Sequence, residues 1–255
     1  MLLPDAFPLI TEPYFYLVAI PAVLLMGISK SGFGAGFGAL ATPLMALTIP
    51  VPQAAAIMLP LLLIMDGAGL QRLYRDRDPA LLRLLLPAGL LGTLVGTALF
   101  GVFPQHVVSG IVGVLTLLFL AQRLLFPPRA DAPPPPRALG FALGIASGFT
   151  SFVAHAGSPP INAYVLPLRL PPITYAATMA VFFAAVNLSK WIPYAWLGLI
   201  DVANMSTSLV LVPLAPLGVW LGVRLTRLIR PTWFYRLAYG GMLLTGVKLL
   251  WDGLR

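Results

Sequence analysis

GISKSGFGAGFGALATP (Gly27 to Pro43) and GIASGFTSFVAHAGSPP (Gly144 to Pro160) are the stretches whose reading decides the fold. Each begins as the end of an apolar run, breaks into glycines and small polar residues, and stops on a proline sixteen positions after its first glycine. Glycine permits positive φ and close backbone approach, and proline removes an amide donor, so neither stretch continues a regular helix. In hydrocarbon, interrupted backbone survives only where it is buried in protein or lines a wet cavity. Two such breaks, each carrying Lys, Ser or His, predict paired half-helix ends around a polar site inside a membrane.

The rest of the chain fits that setting. Of 255 residues, 59% are hydrophobic and 9% charged, against about 25% charged in soluble domains. The mean hydropathy of +0.91 agrees. The prediction is an all-α polytopic membrane protein in the lipid bilayer, with no separate soluble domain. Cysteine is absent, which removes disulfides, thiolate chemistry and cysteine metal sites. The early charges are Asp5 and Glu12, with no basic stretch before the first apolar run, so no cleavable leader is expected. The net charge of +8 fits arginines in cytoplasmic loops better than a nucleic-acid surface, because no basic face remains outside those loops.

Five apolar segments fill the first half, at about 14–31, 33–49, 52–71, 80–101 and 104–126. Five fill the second, at about 138–154, 157–168, 172–194, 202–225 and 231–251. Most reach the ~20 residues of a spanning helix. The second of each set is short and interrupted, which predicts a broken or re-entrant helix. This divides the chain into a first repeat (1–126), a proline-rich linker PPRADAPPPPR (127–137) and a second repeat (138–255). A shift of 117 overlays Gly27 on Gly144 and Pro43 on Pro160. A shift of 121 sets Ala55, Ala56 and Met58 on Ala176, Ala177 and Met179, and Asp66 opposite Asn187. A shift of 126 sets Pro87, Gly92 and Gly96 on Pro213, Gly218 and Gly222.

Charge then orients the repeats. Arg72, Arg75, Arg77 and Arg83 cluster between segments three and four of the first half, and the next connection holds no Lys or Arg. In the second half the loop around 197–202 carries only Asp201, and the next holds Arg224, Arg227, Arg230 and Arg236. Under the positive-inside rule, equivalent loops lie on opposite sides. That is the pattern of inverted repeats, common in secondary transporters with a midplane site. Five crossings per repeat place the termini outside and the linker in the cytoplasm.

With these features in place, the sequence resembles the TauE/SafE (sulfite exporter, TSUP) family of membrane permeases. The first half does so through GISKSGFGAGFGALATPLMAL, the second through GFTSFVAHAGSPPINAYVLP and FFAAVNLSKWIPYAWLG. The resemblance extends over nearly the whole chain except the first dozen residues and the linker. It implies transport, at the cell (inner) membrane, of sulfite, a sulfonate or another small sulfur-containing or organic anion. The second break departs from the glycine-richest family form at Phe152, Val153, Ala154 and His155. A particular substrate is therefore not carried over.

The candidate substrate ligands are Lys30, Ser31, Gly34, Gly36, His155, Ser158, Asn187 and Lys190. Lys30, before the glycine run, reads either as a snorkelling or helix-end lysine or as an anion ligand beside broken backbone. Lys190 follows Asn187 by three, on one helical face. With Trp191, Pro193 and Trp196 after it, Lys190 is either an interfacial anchor or a second cation at the site. Asn187 can donate to an anion and accept from a cation. Asp66 neutralises a neighbouring lysine, sits in the interfacial zone before Arg72, or couples transport to a proton or Na+. His155 is a structural residue, a direct donor or a group titrating near neutrality, and it joins Asp66 as a coupling candidate. Ser158 and Ser31 add hydroxyls, or are helix contacts.

Competing chemistries lack their parts. His155 and Ser158 have no neighbouring acid and no G-x-S-x-G occurs. Two histidines make no His-rich metal site, and no G-x-x-x-x-G-K-[ST] supports ATP hydrolysis. The expectation is a secondary transporter for a small anion by alternating access, with no cofactor and no metal. An intramembrane enzyme or a passive anion channel are the alternatives.

Overall fold

A computed structural model describes residues 9–30, 37–100, 102–125, 134–228 and 231–255. The described residues form helices and turns, with no strands. In the first half these are α1 (Pro13–Ile28), α2 (Ala41–Met45, after a 3-10 turn at Phe37–Leu40), α3 (Val51–Leu73), α4 (Pro79–Phe100) and α5 (Gln105–Leu125). The second half gives α6 (Arg137–Ala154), α7 (Ser158–Val165), α8 (Pro172–Ser189), α9 (Trp191–Trp196), α10 (Val202–Leu211), α11 (Leu214–Leu228) and α12 (Pro231–Gly253).

Local chemistry sets the boundaries. Proline opens α1, α3, α7 and α8, where its missing N–H costs nothing and its fixed φ is already helical. Asp78 caps α4 through the amides of Ala80 and Leu81 at 2.9 and 3.0 Å. Asp201 caps α10 through the Asn204 amide at 2.7 Å. The expected segment 172–194 divides into α8 and α9, and 202–225 bends by 43° between α10 and α11. Pro213 lies in that break and cannot donate to the helix ladder.

α3 is the central element. Ala54, Ala55, Ala56, Ile57, Met58, Leu59, Leu61 and Leu62 are all buried, and a helix apolar all round belongs in an interior. Around it the large helix interfaces pair one helix from before the linker with one from after it: α1 on α11, α4 on α6, α5 on α12 and α3 on α8. The halves interlock. Outer faces are apolar: Leu17, Leu94, Leu118, Leu188, Ile192, Leu209 and Leu244 are exposed, while Asp66, Asn187, Lys190 and Thr207 are buried. That inside-out distribution is expected when the solvent is hydrocarbon.

Four helical stretches among the described residues are long and apolar enough to cross a membrane: Val51–Ala68, Pro79–Leu99, Arg137–Ala154 and Pro172–Trp196. The bent pair α10–α11 makes a fifth. The chain is an all-α polytopic membrane protein. α7 and its 3-10 extension to Leu168 reach only about 18 Å, short of a hydrocarbon core of about 30 Å.

Candidate functional site

At the second break, α6 ends on His155, which takes the left-handed conformation (φ 52°, ψ 24°). Its amide donates to the Ser151 carbonyl at 3.0 Å and the Ala156 amide to the Thr150 carbonyl at 3.1 Å, which closes the helix as a left-handed cap. Ser147 Oγ then donates to the Gly157 carbonyl at 2.6 Å, pinning the reversal to α6. A Cβ at Gly157 would lie 2.8 Å from the Ser147 carbonyl oxygen and 3.0 Å from the Phe183 ring, so only glycine fits. α7 starts Ser158–Pro159–Pro160. The two prolines hold the turn open but leave its first turn few amide donors for a ligand.

At the first break, α1 passes into a π-turn at Ser29 and Lys30, a local unwinding frequent at functional sites. Ser31, Gly34 and Gly36 lie outside the described residues. From Phe37 the described residues run through α2 into α3.

Between the breaks the side chains form one connected polar chain. Lys30 Nζ donates to Asp66 Oδ1. Asn187 Nδ2 donates to Asp66 Oδ2 at 2.7 Å. Lys190 Nζ donates to Asn187 Oδ1 at 2.9 Å and to Ser151 Oγ at 2.8 Å, and meets His155 Nδ1 at 3.0 Å. His155 Nε2 meets the Ala55 carbonyl at 2.8 Å. The partners fix the direction of every link. A carbonyl only accepts, so His155 Nε2 carries the proton and Nδ1 accepts from Lys190. A carboxylate only accepts and an ammonium only donates, which orients the Asn187 amide between them.

Burial grades this chain. Lys190 is 0% exposed, Asn187 2%, Asp66 4% and His155 6%. The Lys30 side chain, at 19%, is the member most open to a ligand, and its Nζ sits 5.9 Å from the Phe183 ring centroid. A cavity of about 210 Å³ borders both breaks, against Ala39, Thr150, Ala156, Pro159, Pro160 and Thr116 of α5.

Lys30, Asp66, Asn187, Lys190 and His155 are thus brought together. Ser158 stands at the start of α7, half-buried, outside the described links of that chain. Lys190 has no exposed surface and Asp66 is buried, so both point into the protein rather than away from it. The reading of Asp66 as the partner of a lysine is the one observed. Ser151, Phe183 and the Ala55 carbonyl were missed. Ser151 carried a usable signal, because it precedes His155 by four and so shares its helical face.

A family model described as sulfite exporter TauE/SafE matches residues 19–249. Comparison with curated proteins and with solved structures found no match.

Proposed function

The chain belongs to the sulfite exporter TauE/SafE family, a family of membrane transporters rather than enzymes, and from that premise we propose a secondary transporter for a small oxyanion. Sulfite, sulfonates and related organosulfur or organic anions are the substrate class. The observation that carries this is the buried chain Lys30–Asp66–Asn187–Lys190–His155, which joins both halves of the molecule at the breaks. Two ammonium groups and an amide supply charge-assisted donors to an oxyanion. Lys30, His155, Asn187 and Lys190, with Ser31, Gly34, Gly36 and Ser158 of the breaks, are the proposed ligands.

The transport cycle we assign is alternating access between two inverted repeats, 1–126 and 138–255, joined by a cytoplasmic linker at 127–137, with both termini outside the cell (inner) membrane. Matching crossings support it: α1 meets α11 at Gly27 and Gly218, and α4 meets α6 at Gly92 and Ile145. Gly92 and Gly218 correspond under the 126-residue shift, and Gly27 matches Gly144, one residue before Ile145. Asp66 and His155 are the proposed coupling groups, for a proton or Na+.

The test is uptake of radiolabelled sulfite and sulfonates into proteoliposomes of purified protein. Saturable flux, lost in Lys30→Ala and Lys190→Ala, is expected. Linear, non-saturating flux would mean a channel, and wild-type flux in the double alanine variant would remove these lysines from the site.

A further inference from the structure

Asp66 takes one donor from each half of the chain, Lys30 on Oδ1 and Asn187 on Oδ2. An ammonium and an amide N–H, set to hold the two oxygens of one carboxylate, are also the donors that two oxygens of a sulfite, sulfonate or carboxylate ligand require. Lys30 is the most exposed member of the chain, so an entering anion meets it first and finds a carboxylate already there. Resting on the anion-transport reading above, we infer that Asp66 is a tethered stand-in for the substrate. Its carboxylate occupies the anion's place on Lys30 and Asn187, and the anion takes those donors as Asp66 binds a proton and releases them.

The charges balance. An Asp66 carboxylate and a Lys30 ammonium sum to zero, and so do a protonated Asp66, the same ammonium and a bound monoanion. The exchange adds no net charge to a buried site, where an uncompensated one is costly. The proton comes from water and adds to an Asp66 oxygen; it leaves with the anion. One proton therefore accompanies each monoanion. The ionisable groups on elements packed against α3 near this site are Lys30 after α1, Lys190 after α8 and His155 after α6. Arg224 of α11 lies exposed over the Trp220 ring, and His106 of α5 and Arg75 and Asp76 of the turn after α3 are exposed. α2 and α10 carry none.

Methanesulfonate is the probe, because a sulfonate is the anion of a strong acid and stays a monoanion at every pH used, so any pH slope belongs to the protein. Uptake of a proton on binding means that affinity falls as pH rises. Wild-type affinity should fall as pH rises, by up to about tenfold per pH unit, with close to one proton taken up per anion by calorimetry in two buffers. Asp66→Asn should bind with no pH slope and no proton uptake. A flat wild-type profile, a slope retained in Asp66→Asn, or no methanesulfonate binding at any pH each overturns the inference. Should Asp66→Asn fail to fold, wild-type difference infrared spectra decide: anion binding must convert an aspartate carboxylate band to a protonated-carboxyl band, and an unchanged carboxylate overturns the idea. Sulfite or sulfonate flux that persists in any of these failures leaves the transport reading standing, and its absence sinks that reading instead.

Discussion

His155 holds a backbone conformation that glycine adopts more cheaply, at a cost of about 1–2 kcal/mol. The ring offsets it, because Nε2 reaches α3 and Nδ1 reaches Lys190. Lys190 is the better residue for a test, since its ammonium serves three acceptors at a site with no exposed surface. Lys190→Met keeps the length and removes the donors. Leaving buried acceptors unpaired costs about 1–3 kcal/mol each, partly recovered where a hydroxyl rotates. A fall of at least about 2 kcal/mol in unfolding free energy, together with loss of uptake, is expected in detergent-solubilised protein. Lys190→Arg should not rescue, because the planar fork is larger and the site is closed. An unchanged melting temperature in Lys190→Met would refute the three-acceptor account. Five members of this chain were legible in sequence because an ionisable or amide group in an apolar span is expensive. The burial of Lys190 was not legible. Trp196, six residues on, is largely exposed, and the aromatics around the lysine pointed to the interface while its own face of the helix turned inward.

Helices α4 and α6 cross with almost no side chain between them. A Cβ at Gly92 would meet the Ile145 carbonyl, and one at Gly148 would meet the Gly89 backbone. Backbone cannot move aside as a flexible side chain can, so Gly92→Ala and Gly148→Ala must separate the helices. Each should cost about 1–3 kcal/mol. Gly67→Ala, on α3 beside Asp66, meets nothing within 4 Å and should gain up to about 1 kcal/mol from helix propensity. Thermal unfolding of the three variants checks this, and equal shifts at Gly67 and Gly148 would refute it. The order and kind of elements could be read from the sequence because glycine and proline act locally. The effect of each proline could not. Pro21, Pro60 and Pro87 sit inside continuous helices, whereas Pro213 lies in a 43° break. Whether proline bends or breaks a helix depends on what neighbours do for the freed carbonyl, and that information is tertiary.

The largest helix interfaces of the molecule lie between its halves, since α1–α11, α4–α6, α5–α12 and α3–α8 all join residues before the linker to residues after it. Periodicity and charge counts describe each segment alone, so this interlocking was invisible in the sequence. The inverted-repeat reading makes a demand that packing does not test. Equivalent loops must face opposite sides, because the arginines of 72–83 follow the third segment of one half and those of 224–236 follow the fourth segment of the other. The chain has no cysteine, so single cysteines can be introduced at Asp76, Asp201 and Arg227 and probed from outside with a membrane-impermeant maleimide. Cysteine at Asp201 should label in intact cells, and cysteines at Asp76 and Arg227 only after the membrane is opened. α2 and α7 decide the outcome. If each counts as a crossing with its flanking backbone, both arginine clusters fall inside. If neither counts, Asp76 and Arg227 fall on opposite sides, one of them labels in intact cells, and the inverted arrangement is lost.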